Sequence, residues 1–433
     1  MHRQRNPVRF VIFALMLLLV PGDLSAATKS SRKSTAGKKT TARKAGAKPS
    51  TAKRKTAVKK SSSKTKARRS RARQATARKR PAARKLVPAR YEPDTMGHYL
   101  AARVAGGPWT VPTYADSSLG DWVDGEDLEV RRAAVDALGP YNGSVVVVDP
   151  NTGRILTMVN QKLALGGGFQ PCSTIKIPVS LAALSEGVIT RTTPVTLYGR
   201  YRLAMTEALA KSNNHYFAYL GVQLGFERFA YYAKLFGLGE TAGLDIPGEE
   251  PGYFPPAAPR NGGVGMLASF GETIRQTPLQ LAAIMSAVAN GGTLYYLQYP
   301  HSQADVAEFV PRVKRQLDIA THIPDVLPGM LGAVMFGTAR RAGSDESIAG
   351  KTGTCTDGNT HLGWFGAFNY VGNRQLAIAV MLTGGRGVSG GPAAGIAGDF
   401  FRRLAEQNYL AQSEPVTPAA LVSTSMCCSA GTN

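Results

Sequence analysis

No acidic residue occurs between residues 28 and 90 of this 433-residue chain, which has only four cysteines and no apolar run long enough to cross a bilayer. Each shortage excludes something. The N-terminal apolar run, Phe10 to Val20, holds eleven residues, against the roughly 20 that a spanning helix needs. Residues 28–90 contain almost no large apolar side chain. They cannot bury enough surface to offset the entropy of ordering, which rules out a folded domain there and predicts disorder. Two of the cysteines, Cys427 and Cys428, are adjacent in a Ser/Thr/Pro-rich tail. Adjacent cysteines rarely bridge without strain, so no role is assigned to them. No internal repeat is visible.

What is present divides the chain unevenly. Its formal charge is +23, yet residues 28–90 alone carry 25 Lys and Arg, and residues 1–27 add three Arg against one Asp. Residues 91–433 then hold 24 basic and 28 acidic residues, a slightly acidic body behind a polycationic segment. Arg3, Arg5 and Arg9, the apolar run and Ser25-Ala26-Ala27 read as an export signal over residues 1–27. An uncleaved anchor is the other reading of that segment. Export places the chain in the periplasm or cell envelope, where a disulfide is permitted. Behind a signal, a Lys/Arg-rich segment suits anionic envelope polymers or lipid headgroups better than nucleic acid, and a plain solvated spacer fits equally well.

Residues 91–125 are rich in Gly, Pro and Asp, with Tyr99, Trp109 and Trp122 scattered among them, and read as a loop-rich lead-in. From 126 to 407 the pattern is that of one α/β (α+β) domain. Glu126–Leu138 has helical spacing, Ser144–Asp149 and Ile155–Val159 read as a hairpin, and Met205–Ser212 and Tyr216–Phe236 as helices. Thr277-Pro278 opens another helix, with proline at its first position. Asp325–Phe336 is a further helix, Ser347–Thr354, Leu362–Phe368 and Gln375–Leu382 are three strands, and Ala393–Ala405 is a last helix. Strands from both ends of the domain enclosing a helical middle predict an antiparallel sheet flanked by helices, with a mostly helical subdomain. Residues 408–433 read as a flexible tail.

Three polar clusters stand out in chain order: Ser173-x-x-Lys176, Ser212-x-Asn214 and Lys351-Thr352-Gly353-Thr354. A serine at a helix start with a lysine three residues on pairs a nucleophile with a base. The lysine must be neutral to accept a proton, which burial or a neighbouring cation such as Lys351 would favour. Lys351 would also attract a substrate carboxylate. Ser212 can pass a proton to a leaving group, and the Asn214 amide can hold Lys176 and a substrate carbonyl. The strand bearing Lys351, Thr352 and Gly353 lets a substrate backbone pair alongside, Gly353 keeping that approach clear. The backbone N–H groups of Ser173 and Thr354 would form an oxyanion hole, each donor worth roughly 3–4 kcal/mol. Taken singly, each cluster has a bland reading: Ser212-Asn213-Asn214 as a helix C-cap, Lys-Thr-Gly-Thr as a strand end.

Together and in this order, the clusters resemble the active-site set of penicillin-binding proteins and serine β-lactamases. Gly143–Gly153, Phe236–Gly239, Gly243–Gly248, Thr277–Ala282, Ala289–Gly292, Gly337-Thr-Ala-Arg340 and Gly363-Trp-Phe-Gly366 are similar to further stretches of a penicillin-binding transpeptidase domain. The resemblance implies a β-lactamase/transpeptidase-like fold over residues 126–407. It implies a peptidoglycan D,D-transpeptidase, acylated at Ser173 by the D-Ala-D-Ala stem peptide and inhibited by β-lactams, with no cofactor and no metal. It also implies that the segment ahead of the domain leaves no room for a glycosyltransferase domain.

The alternatives are a D,D-carboxypeptidase, a serine β-lactamase, or a cationic envelope-binding protein built on an inactive scaffold. Class A β-lactamases use a Glu with an Asn four residues later, and none of the glutamates between Ser212 and Lys351 has that partner. Cys172 precedes the nucleophile and Cys355 follows Thr354. Certain carbapenem-hydrolysing class A enzymes are similar there, with a disulfide at the same offsets, which implies a Cys172–Cys355 bridge. The three intact motifs argue against the inactive scaffold.

Overall fold

The computed structural model describes residues 110–318, 320–343 and 347–412. The export signal, the polycationic segment, Tyr99, Trp109, Cys427 and Cys428 lie outside the described residues.

The first half of the domain runs through α1 (Leu128–Leu138), the hairpin β1 (Gly143–Val148) and β2 (Ile155–Val159), and the short α2 (Gln161–Leu165). A 3-10 turn, Cys172–Ile175, leads directly into α3 (Lys176–Ser185), followed by the small hairpin β3 (Val195–Tyr198) and β4 (Tyr201–Leu203). Then come α4 (Met205–Ala210), α5 (Asn214–Leu235), α6 (Gly263–Phe270) and α7 (Pro278–Ala289). The second half comprises β5 (Thr293–Tyr295), α8 (Gln303–Ala307), β6 (Val313–Gln316) and α9 (Ile323–Met335). It closes with β7 (Ile348–Asp357), β8 (Thr360–Asn369), β9 (Ala377–Gly384) and α10 (Gly390–Glu406).

Five strands form one antiparallel sheet in the order β2-β1-β9-β8-β7. It joins the chain's two ends because β1 pairs with β9, Gly143 opposite Leu382 through Val148 opposite Ala377. Both faces are covered, and the strand period of two divides the core cleanly. Val145, Val147, Ile378, Val380 and Leu382 pack with Val130, Ala134, Phe400 and Leu404 of α1 and α10. Val146, Val148, Ala377, Ala379 and Met381 pack on the other side with Leu281, Ile284 and Met285 of α7. At roughly 1.5–3 kcal/mol for each large apolar side chain buried, this sandwich is the main source of stability.

The helical half holds α3, α4, α5, α6 and α9. Close approach there rests on small residues: a Cβ on Gly221 of α5 would stand 2.5 Å from Ala268 Cβ of α6. The predicted start of α7 has full local support. Thr277 Oγ1 accepts from Gln280 N and Gln280 Oε1 accepts from Thr277 N, with Pro278 at the first turn. The predicted helix Tyr216–Phe236 begins two residues earlier, at Asn214, and is broken at Gly225 (φ 74°, ψ 168°), a backbone that glycine reaches without strain. The elements α2, β3, β4, α6, β5, α8 and β6 have no counterpart in the sequence reading.

The described lead-in, from Thr110, is pinned to the domain by side chains. Asp121 binds Arg131, and its carboxylate accepts from the N–H groups of Asn160 and Gln161. Chain order also continues past residue 407: Tyr409 is buried and donates to Asp127 Oδ2 at 2.7 Å. No helix of the described residues is long and apolar enough to cross a membrane.

Candidate active site

Pro171 and Cys172 bring the chain into a 3-10 turn rather than directly into an α-helix. With three residues per turn, side chains three apart eclipse, so Ser173 and Lys176 stack one above the other. Lys176 Nζ lies 2.8 Å from Ser173 Oγ. It also lies 3.0 Å from Ser212 Oγ, 3.1 Å from the Ser212 carbonyl oxygen and 2.6 Å from Asn214 Oδ1. Four oxygens surround this nitrogen, more than an ammonium has N–H groups. A neutral amine also makes three bonds, but of a kind that suits these groups: two N–H groups donate to the Ser212 and Asn214 carbonyl oxygens, and the lone pair accepts from one of the two hydroxyls.

The surroundings favour that neutral form. Lys176 is fully buried, with the rings of Phe217 and Phe270 at 5.4 and 6.0 Å from Nζ, and burial lowers its pKa to about 7. The cause is desolvation, one of the two routes left open by the sequence; the charge of Lys351, the other, is not the cause. Lys351, on β7, is also fully buried, and its pKa falls well below the ordinary lysine value through burial and then repulsion by Lys176. Its Nζ donates to Ser212 Oγ and to the Thr352 carbonyl, both at 2.9 Å. Ser212 Oγ therefore bridges the two amines.

Ser212 sits at φ 55°, left-handed for a residue with a Cβ. It is the second residue after the end of α4, following the cap Lys211, where Asn213 N donates to the Ala208 carbonyl and Ser212 N to the Leu209 carbonyl. That pair of bonds is a Schellman closure, in which glycine is the preferred residue at this position. Asn213 caps α5 in turn, its Oδ1 accepting from Tyr216 N at 2.9 Å. The bland reading of Ser212-Asn213-Asn214 as helix punctuation is thus correct, and the same geometry delivers Ser212 and Asn214 to Lys176. Ser269 Oγ, on α6, shares its one proton between the Gly265 carbonyl at 2.7 Å and the Asn214 carbonyl at 3.0 Å.

The strand β7 lies at the edge of the main sheet, as a strand offered to an extended partner must. Thr352 Oγ1 is 2.6 Å from Thr338 Oγ1, and Thr354 Oγ1 accepts from Gly390 N at 2.8 Å. A Cβ on Gly353 would meet the Pro171 carbonyl oxygen at 2.9 Å and Trp364 Cβ at 3.0 Å. The space Gly353 saves is therefore needed by the turn that carries Ser173, in addition to any need of a substrate. Cys172 and Cys355 form a disulfide across this contact, with Cα atoms 5.6 Å apart. It ties the residue before Ser173 to the residue after Thr354. Trp364 Nε1 donates to the Gln170 carbonyl at 3.0 Å and holds the same junction.

All the residues singled out in the three clusters thus meet in one place. Sequence reading missed Phe217, Phe270 and Ser269 as parts of the site. Thr338 and Trp364 lay within Gly337-Thr-Ala-Arg340 and Gly363-Trp-Phe-Gly366, noted there only for their resemblance. Nothing in the spacing of the aromatic residues marks them as walls of a lysine pocket. Among the described residues no group of three or more His, Cys, Asp or Glu side chains is placed to hold a metal, and no carboxylate hydrogen-bonds Ser173 or Lys176. A cavity of about 750 Å³ between α10 and the Arg341–Gly343 segment shares no lining residue with the site.

The family model of the penicillin binding protein transpeptidase domain matches residues 143–405. Stage V sporulation protein D of Bacillus subtilis is 28% identical over 309 residues, covering 61% of this chain and 48% of that protein. The peptidoglycan D,D-transpeptidase MrdA of Escherichia coli is 25% identical over 340 residues, covering 66% and 51%. The chain spans about half the length of the curated relatives it matches. A crystal structure of Pseudomonas aeruginosa PBP2 in complex with WCK 5153 shares the fold. Its TM-score is 0.57 at 24% identity, over 69% of this chain and 81% of that one.

Proposed function

The chain belongs to the penicillin-binding protein transpeptidase family, and from that premise we propose that it is a peptidoglycan D,D-transpeptidase acting through an acyl-enzyme on Ser173. Ser173 Oγ attacks the penultimate D-Ala carbonyl of a donor stem peptide while neutral Lys176 takes the hydroxyl proton. The backbone N–H groups of Ser173 and Thr354 hold the oxygen that becomes negative. The proton moves from Lys176 through Ser212 to the departing D-Ala amine, and the C–N bond breaks. An amine of a second stem peptide then attacks the ester, forms the cross-link and returns the proton to Ser173. Lys351, Thr352, Gly353 and Thr354 receive the donor as an added strand, with Lys351 and Thr352 near its terminal carboxylate, and Asn214 holds Lys176 and the substrate carbonyl.

The observation that carries this reading is the position of Lys176 Nζ, 2.8 Å from one hydroxyl and 3.0 Å from the other. One base can therefore serve both proton transfers. Hydrolysis of the acyl-enzyme, as by a carboxypeptidase or β-lactamase, would call for a base that activates water at the ester. Lys176 can activate an amine or a water alike, but the Glu–Asn pair with which class A β-lactamases activate water has no counterpart between Ser212 and Lys351, which speaks against that route of hydrolysis.

Residues 1–27 are proposed as the export signal of an envelope protein, and the basic residues of 28–90 as ligands for anionic envelope polymers. The test of the catalytic reading is incubation with a fluorescent penicillin. The wild type should form a stable adduct that Ser173→Ala cannot form. Rapid drug turnover without an adduct would mean a β-lactamase, and no reaction at all would mean an inactive scaffold.

A further inference from the structure

The β3–β4 hairpin has no part in the chemistry above, yet it packs on His215, the residue next to Asn214 of the site. Its turn is two residues, Gly199-Arg200, with Gly199 at φ 54°. Tyr198 and Tyr201 face one another across the strands, ring centroids 5.2 Å apart and stacked. They are nonetheless 61% and 39% exposed, so the pair is a surface feature and not part of the core. The Tyr198 ring also lies 5.9 Å from that of His215, edge to face. His215 directly follows Asn214, whose Oδ1 contacts Lys176. On the same face of α5, one turn further on, Tyr219 is also exposed. Arg200 and Arg202, exposed on the hairpin, form no ion pair with any described residue.

The hairpin thus offers a stacked aromatic pair open to water and two exposed arginines outside any ion pair among the described residues. Two chemistries fit it at once. Flat aromatic faces accept the apolar C–H face of a sugar ring, much as they accept other flat faces by stacking. Arginine forks accept carboxylates. One ligand close to this site carries both: a glycan strand bearing acidic stem peptides.

We propose that the β3–β4 hairpin is a saccharide platform, on which a sugar ring of the peptidoglycan strand stacks against Tyr198 and Tyr201 while the attached stem peptide runs past His215 toward Ser173. The inference rests on the transpeptidase reading, since it names part of that enzyme's substrate. Arg200 and Arg202 bind the carboxylates of the stem peptide. The hairpin thereby distinguishes peptide still joined to the wall from free peptide, something the strand-pairing site on β7 cannot do.

The test uses the full chain, the double variant Tyr198→Ala/Tyr201→Ala, and two donors with the same stem peptide, one bare and one linked to a disaccharide. The wild type should show a KM roughly 10-fold lower for the linked donor, about the worth of one stacked ring. In the variant the two KM values should converge, with kcat and the rate of acylation by fluorescent penicillin, which carries no sugar, within about twofold of wild type. Arg200→Gln/Arg202→Gln should raise KM for both donors and leave penicillin acylation alone. Equal KM values in the wild type, an unchanged ratio in the tyrosine variant, or a parallel loss of penicillin acylation would overturn the proposal. A wild type that forms the penicillin adduct but turns over neither donor would refute the transpeptidase reading instead. The platform is then read directly, by titrating penicillin-blocked protein with a peptide-free glycan oligomer. Binding that the tyrosine variant loses supports it, and no binding by the wild type overturns it.

Discussion

In the proposed mechanism Lys176 is the base, and its environment then sets how activity should vary with pH. Burial lowers its pKa to about 7, and only the neutral amine can accept the Ser173 proton. Acylation should therefore rise as pH passes through about 7 and level off above it, as a stopped-flow measurement with a chromogenic β-lactam would show. The same shift acts on stability with a definite sign. Between about 7 and the ordinary lysine value the unfolded chain binds a proton that the folded chain does not, so stability rises with pH across that window. Asn214→Asp sharpens the prediction. A carboxylate at the position of Asn214 Oδ1, 2.6 Å from Nζ, would hold the ammonium form and raise the Lys176 pKa. The inflection should then move up by more than about 1 unit, with acylation at pH 7 falling roughly 10-fold. An inflection that stays where it was would show that another group sets the pH dependence.

At the scale of elements, the closure of α4 shows structure and chemistry occupying one residue. Ser212 holds a left-handed backbone that disfavours any side chain by roughly 1–2 kcal/mol relative to glycine. Replacing it with glycine would relieve that strain but widen the unfolded ensemble, the second effect offsetting part of the first. The loss of the acceptor shared by buried Lys176 and Lys351 opposes that gain as well, so Ser212→Gly should change thermal stability by no more than about 1 kcal/mol in either direction. Acylation should fall by about 100-fold, the usual worth of a positioned proton relay. A clearly less stable variant would mean that the serine serves the fold. This coincidence also explains what could be seen in the chain beforehand. The three motifs, the main strands, the capped start of α7 and the family resemblance were legible because each depends on local pattern. The walls around Lys176 were not, since Phe217 lies on α5 and Phe270 on α6, and only the approach permitted by Gly221 brings those helices together. The hairpin β3–β4 was missed for a related reason: at four and three residues its strands are too short to show a period, and their polar faces are solvated.

The whole molecule joins two bodies of charge with opposite sign. Residues 91–433 are slightly acidic while residues 28–90 carry 25 positive charges and no negative one. The proposed substrate is an immobile polymer, and a short peptide bound on β7 offers little residence on it. A basic segment in the same chain would convert each catalytic encounter into one at high local concentration without touching the site. Two consequences follow for a chain lacking residues 28–90. Its sedimentation with cell-wall sacculi should fall at low salt and converge with wild type at high salt, because attraction between exposed charges is screened beyond about 10 Å at 0.1 M and about 3 Å at 1 M. Its rate of acylation by a soluble fluorescent penicillin should match wild type at every salt concentration, since the buried lysine pair belongs to residues 176 and 351. Sedimentation that does not change on deletion would make the segment a spacer. A slower acylation would mean that it acts on the domain itself. The expected pattern, capture lost and chemistry kept, would separate the proposed wall-binding charge of residues 28–90 from the proposed chemistry of the two lysines.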